Sequence, residues 1–210
     1  MKLHFLLILS FLLSSFVIFA QIPAVTSTGE EVFLYEDGTW SYAEDSNSEI
    51  IPIDENPAEF FKPSDASFKV SSKRVGVGVW INPKLWEFTK SATNEDAEFQ
   101  FGRRNEDCYA MLITERIEIP LSTLMDIAVT NARAVAPDIK VVKKEYRNVN
   151  GVRLLYMQMN GTTQGIKFSY MGYYYSSAEG TIQLVAYTSQ DLLGKYKNMM
   201  EELLNGFALN

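Results

Sequence analysis

The chain has 210 residues, 47% of them apolar, 21% charged and 13% aromatic, a balance typical of a folded globule that excludes disorder throughout. Seven prolines and twelve glycines without a short repeat exclude collagen-like and low-complexity chains, and a single cysteine excludes a disulfide scaffold or a multi-cysteine zinc site. With a formal charge of −7, wholesale attraction to nucleic acid phosphates has no electrostatic basis, so no nucleic acid partner is expected.

Residues 1–20, MKLHFLLILSFLLSSFVIFA, carry one Lys near the start, then an apolar run interrupted by Ser10, Ser14 and Ser15. This pattern predicts a cleavable signal peptide, cut after Ala20 with Ile18 and Ala20 as the recognised small or apolar positions. The run is shorter than the roughly 20 apolar residues a spanning helix needs. No stable membrane span is therefore expected after signal removal, and the predicted location is secreted or periplasmic. A lipid anchor on a new N-terminal cysteine is not available, because the cysteine is Cys108.

Removing residues 1–20 also removes His4, the one histidine. Nucleophilic triads and dyads that rely on an imidazole lose their proton shuttle, and histidine-ligated zinc, copper or iron sites lose their ligand. The expectation is a protein without cofactor or metal, and without a catalytic constellation. Carboxylate-only chemistry, a Ser-Lys pair and an oxygen-ligand calcium site stay open.

Residues 21–42 form the next zone. Two short strand patterns, 30–35 and 39–42, flank Glu36-Asp37-Gly38 and predict a β-hairpin that docks on the main domain or, alternatively, stands as an independent binding arm. Residues 43–66 hold three prolines and seven acids and read as an acidic linker. Residues 21–66 contain eleven acids against Lys62, whereas residues 67–210 contain seventeen bases against fifteen acids, so the negative excess lies wholly in the leader. Such a leader is a solvated spacer or, alternatively, lies across a basic patch of the domain through a contact that salt would weaken.

The remaining 67–210 are one strand-rich domain. Strand patterns cover 75–81, 98–103, 108–115, 139–147, 152–162, 166–176 and 181–188, with Asn150-Gly151 and Asn160-Gly161 as turns between antiparallel neighbours. Apolar residues at three- and four-residue steps predict a helix over 121–136, opened by Pro120 and ended by Pro137, and another over 191–207 with Thr188 or Ser189 near its cap. Within 108–114, Cys108, Ala110 and Leu112 alternate with Tyr109, Met111 and Ile113, so the sheet is expected to be covered on both faces. The predicted class is α+β: an antiparallel sheet flanked by two helices.

Several features of this domain resemble the PsbP-like α/β/α sandwich. They are the Trp-bearing loop Ile81-Asn82-Pro83-Lys84-Leu85-Trp86, a helix after a central strand, hairpin-linked strands with glycine at turns, and a closing helix ending Leu203-Leu204-Asn205-Gly206-Phe207. That family includes an extrinsic photosystem II subunit, a nuclear protein that binds the GTPase Ran, and exported bacterial members. The resemblance implies a scaffold used for protein contact and carries no family site residue onto this chain.

Tyr170, Tyr173, Tyr174 and Tyr175 occupy both faces of one strand, with Tyr170 and Tyr174 on one side and Tyr173 and Tyr175 on the other. One pair is expected in the core; the other, if exposed, would form a recognition surface for protein or glycan, and Trp80 and Trp86 are further candidates. Cys108 reads as a buried small apolar residue rather than a reactive thiol. Lys140, Lys143, Lys144, Arg147 and Arg153 surround the 148–151 turn and read as protection of a sheet edge, with an anion site for the acidic leader as the alternative. The acids around 94–98 and 105–107 read as solvated turns. In Gly76-Val77-Gly78 the third glycine of a nucleotide fingerprint is missing, so these glycines are expected to admit a close backbone or ring. Asn160-Gly161-Thr162 fits a glycan acceptor.

Taken together, these residues predict an exported, non-enzymatic binding or accessory protein that contacts an envelope or extracellular protein partner. Two alternatives are a carboxylate-dependent, glycosidase-like hydrolase and a carrier of a small apolar ligand.

Overall fold

The computed structural model describes residues 21–26, 31–35, 38–42, 53–90 and 96–210. The expected signal peptide, and residues 43–52 of the expected linker, lie outside the described residues. No described helix is long and apolar enough to cross a membrane.

The predicted hairpin is present and carries a third strand. Strands β2 (Glu31–Tyr35) and β3 (Trp40–Tyr42) pair antiparallel, and Gly38 takes a φ of 81° where its amide donates to the Tyr35 carbonyl at 3.0 Å. Strand β1 (Gln21–Val25) adds to the other edge of β2, and Val25 packs against one of the two cores of the main domain. Docking supplies the apolar contact that a small isolated hairpin lacks in water.

Part of the expected linker is sheet. Residues Asp54–Phe60 form β4, which pairs in parallel with a strand about ninety residues later. There follow β5 (Phe68–Ser71), β6 (Val77–Ile81), β7 (Trp86–Lys90), β8 (Ala97–Arg103) and β9 (Tyr109–Glu115). Helix α1 (Leu121–Val135) starts at Pro120, whose carbonyl accepts the Leu124 amide at 2.9 Å, and stops before Pro137. Four long strands come next: β10 (Lys140–Val149), β11 (Val152–Thr163), β12 (Ile166–Ser177) and β13 (Gly180–Ser189). A 3-10 turn at Gln190–Leu192 leads into α2 (Leu193–Leu204), shorter than the predicted 191–207 because Phe207 already belongs to the closing strand β14 (Phe207–Leu209).

Asn150 and Gly151 adopt φ of 51° and 80°, the left-handed pair that a tight β10–β11 turn demands. Asn160-Gly161 is not a turn. Both residues lie inside β11, and the reversal comes at Gln164 and Gly165, with φ of 49° and 80°. Gly161 is small for another reason: a Cβ there would stand 2.7 Å from Ile139 Cδ1 and 3.0 Å from Ala136 Cβ, where the chain leaving α1 crosses the sheet.

The main sheet has eight strands in the order β4-β10-β11-β12-β13-β9-β8-β7. It is mixed rather than purely antiparallel, the β4–β10 pair being parallel. A three-stranded sheet, β14-β6-β5, accompanies it. Strand alternation divides the main sheet between two cores. On one face Leu112, Leu154, Met171, Tyr173 and Leu184 pack with Tyr196, Met200 and Leu203 of α2 and with β6 and β14. On the other, Leu155, Met157, Met159, Tyr174 and Val185 pack with Leu124 and Ala128 of α1.

Candidate functional site

Both faces of β12 contain core residues, so the expected division into one buried and one exposed tyrosine pair does not occur. Tyr173 and Tyr174 are each 1% exposed, on opposite faces, while Tyr170 and Tyr175 are half-buried. Burial pushes the Tyr173 phenol up to about 12, although Arg147 pulls it down through a hydrogen bond and its charge. Tyr173 and Tyr174 are therefore structural, and two of the four candidate tyrosines leave the recognition surface.

Tyr170 belongs to a different grouping that cuts across strands. In register, Tyr170 of β12 lies opposite Tyr187 of β13, and Tyr187 opposite Tyr109 of β9. The rings follow the ladder: Tyr170 and Tyr187 are 5.9 Å apart and tilted at 36°, Tyr187 and Tyr109 are 5.7 Å apart and stacked at 29°, and Phe168 extends the row 6.3 Å from Tyr170. Helix α1 shares its core with β11, β12 and Val185 of β13. Beyond it the same face opens: Tyr187, Met111 and Ile113 are half-buried, and Tyr109 is 41% exposed. Among the described residues, the expected cover of both faces is therefore incomplete at the Tyr109 end of β9.

The row ends at the exposed Tyr109 ring, whose hydroxyl lies 3.5 Å from Asp107 Oδ1. Burial raises the Tyr170 and Tyr187 phenols, and burial followed by the neighbouring Asp107 carboxylate raises Tyr109. All three remain protonated donors at neutral pH. Tyr109 and Tyr187 were missed in the sequence because nothing local shows that β9 borders β13.

Trp80 and Trp86 meet at one small cleft of about 20 Å³, with Asp65, Asn82, Arg103 and Glu202 among its lining. This is room for a water molecule, not for a side chain of a partner. Trp86 is 3% exposed and belongs to the core, with the Arg103 guanidinium 5.5 Å from its ring. Trp80 is half-buried, and the Lys62 ammonium lies 5.2 Å from its ring centroid. Neither ring is a free recognition surface.

The basic residues around the β10–β11 turn also separate. Arg147 is 4% exposed, not a surface charge. Its Nε donates to Glu145 Oε1 at 2.7 Å, its guanidinium lies 3.6 Å from the Tyr156 ring and 4.6 Å from Phe60, and Nη1 approaches Glu201 at 3.6 Å. Glu145 also accepts from Asn56 at 3.0 Å, and the Tyr173 hydroxyl donates to Asn205 at 2.7 Å. This network fastens β4 and the end of α2 to the sheet. Arg153, by contrast, is on the surface and pairs with Glu55 of β4 while covering the Tyr146 ring at 3.4 Å. The alternative given for these bases holds for Arg153 alone: Glu55 of the acidic leader lies on it.

The other singled-out residues take structural places. Cys108 is fully buried in the first core, where burial raises its thiol to about 11. Glu98 accepts from Ser72 and Thr114 hydroxyls, both at 2.6 Å, and from the Lys73 amide at 2.7 Å, so it is not a solvated turn residue. Gly78 admits the Val70 carbonyl, which would be 2.9 Å from a Cβ, as expected, whereas Gly76 admits the Glu179 carboxylate. Asn160 accepts from Ser169 within the ladder at 2.8 Å. Among the described residues, no group of three or more His, Cys, Asp or Glu is placed to hold a metal ion.

No protein-family model matches the sequence, and no curated protein matches it either. Solved structures do. The solution structure of cyanobacterial PsbP (CyanoP) from Synechocystis sp. is similar at a TM-score of 0.50 and 15% identity, over 69% of this chain and 94% of that one. LpqN, involved in cell envelope biogenesis of Mycobacterium tuberculosis, aligns at a TM-score of 0.47 and 11% identity, over 68% of this chain and 90% of that one. A Pseudomonas aeruginosa protein of unknown function aligns at 0.43 and 10%, over 60% and 83%. The PsbP-like resemblance is one of fold: a mixed α/β domain with a large sheet and two helices.

Proposed function

We propose that the protein is an exported, non-enzymatic binding module that holds a protein partner against the open half of its main sheet. The observation that carries this reading is the row Tyr170–Tyr187–Tyr109, which runs from beneath α1 to a 41% exposed ring. Tyrosines held by their neighbours lose little conformational freedom on binding and combine apolar area with a hydrogen-bond donor, which is why they dominate protein interfaces. The signal-like segment 1–20 supports export, to the periplasm or the exterior, and an envelope or extracellular partner. The PsbP-like fold supports a scaffold role by resemblance alone.

The test is a benzophenone photocrosslinker placed at position 109 in the producing cell, with the same group on the solvent side of α2 at Lys197 as control. A discrete light-dependent adduct with one protein from position 109, absent from position 197, is the expected result. Equal adduct patterns from both positions, or none from 109, refute the proposal.

A further inference from the structure

A second surface, away from the tyrosine row, has the features of a peptide-binding edge. Strand β10 pairs with β11 from Lys140 to Val149, with a bulge between Val141 and Lys143 that leaves Val142 out of the ladder, and β4 covers its other side only from Glu145 onward. Along residues 140–144 that side has no strand partner among the described residues. The edge is held rigidly at its start, where Ala136 and Ile139 are buried and Asp138 accepts the Thr162 amide at 2.6 Å. Next to it, between α1 and β10, an open groove of about 510 Å³ is floored by Val129, Val141 and Val142. Val141 and Val142 are 40% and 51% exposed. Arg133, Lys143 and Lys144 line the groove together with the acid Asp126; Lys143 also pairs with Glu145 at 3.1 Å, so the charge offered to a partner rests on Arg133 and Lys144.

We infer that this edge accepts an extended segment of a partner protein in which acidic and β-branched residues alternate, added as a further strand. Three observations select that occupant. The unpaired strand side offers backbone donors and acceptors, which any extended chain satisfies. The bulge brings the consecutive, exposed Val141 and Val142 both to the groove, where they offer apolar contact. Lysines on an edge repel a second basic edge, which is their usual protective effect, but they attract an acidic strand. The surface is separate from the tyrosine row, so the inference goes beyond the proposed function and stands or fails independently of it.

Fluorescence polarisation on the full chain tests it with three labelled hexapeptides, Glu-Val-Glu-Ile-Glu-Val, Lys-Val-Lys-Ile-Lys-Val and Glu-Ser-Glu-Ser-Glu-Ser. The first is expected to bind, weakening with salt, and the other two to bind at least about tenfold more weakly. Hydrogen exchange should slow at amides 141–144 on binding. The double variant Lys140→Glu/Lys144→Glu should lose the binding, while Tyr109→Ala should keep it, which separates this site from the row. Equal binding of all three peptides, protection elsewhere, or full binding by the charge-reversed variant overturns the inference. So does a result in which the first peptide binds only after Glu44, Asp45 and Glu49 are changed to Gln, because the edge then belongs to the chain's own acidic stretch.

Discussion

Arg147 and Glu145, two residues apart on one face of β10, form a buried ion pair at 2.7 Å with side chains only 4% and 9% exposed. Charge in a core is tolerated here because each group is satisfied several times over: Glu145 by Asn56, Arg147 and Lys143, and Arg147 by Glu145, Glu201 and the Tyr156 face. Replacing Arg147 by Met keeps much of its volume but leaves a buried carboxylate short of its strongest partner, at a cost of about 3 kcal/mol. The double variant Arg147→Met/Glu145→Gln removes the stranded charge and should lose less. Urea denaturation of the two variants checks the order; equal losses would mean the pair's charge plays no part.

Two of the carboxylates held below their usual range, Glu98 and Glu145, should contribute to acid lability. Burial pushes Glu98 up, but the Lys73 amide, the Ser72 and Thr114 hydroxyls and the Arg74 charge outweigh it and hold the group below its usual range. Burial likewise pushes Glu145 up, and hydrogen bonds from Asn56, Arg147 and Lys143 more than reverse it. A carboxyl depressed in the folded state contributes stability above its unfolded pKa of about 4.3 that is lost as pH falls through the folded value. Melting temperatures should therefore fall as pH drops below about 4.3, and Glu98→Gln should lower stability at neutral pH while making the acid branch shallower.

The Cys108 thiol should be inert. Burial, opposed by the Arg103 charge and aided by Glu106, raises it to about 11, and no solvent reaches the sulfur. Titration with a thiol reagent at neutral pH should find no reactive group in the native protein and one in denaturant. Rapid native labelling would contradict the packing of the first core.

Gly206 joins α2 to β14, with its carbonyl accepting the Trp80 amide at 2.7 Å. A Cβ at this position would stand 2.1 Å from the Trp80 carbonyl oxygen, a backbone atom that cannot turn aside. Gly206→Ala should cost about 1–3 kcal/mol by forcing β14 from β6, read as a lower denaturation midpoint. Gly194→Ala, with open space around it and a helical position, is the control and should be neutral or slightly stabilising.

Local chemistry made some of this architecture legible and left the rest hidden. Pro120 and Pro137 bracket α1, and Asn150-Gly151 turns β10 into β11, because those residues act through their own backbone. Strand β4 was hidden: its sequence DENPAEF is acidic and contains a proline, and what makes it a strand is β10 and the Arg153 and Glu145 side chains far along the chain. Arg147 read as a surface charge because alternation cannot say which face of β10 is buried. The site was half visible. Tyr170 stood out in a tyrosine-rich strand, whereas Tyr187 and Tyr109 gained meaning only from the β12-β13-β9 strand order, where β9 pairs with a strand that is not its sequence neighbour.

Binding through the tyrosine row is measured most directly by titrating the protein captured at position 109 into the full chain and into Tyr109→Ala. A hot-spot tyrosine at an interface is worth about 2 kcal/mol or more, so the variant should bind roughly thirtyfold more weakly, while loss of the stack on Tyr187 lowers its unfolding free energy by about 0.5–1.5 kcal/mol and leaves it folded. Unchanged affinity in Tyr109→Ala would contradict the account.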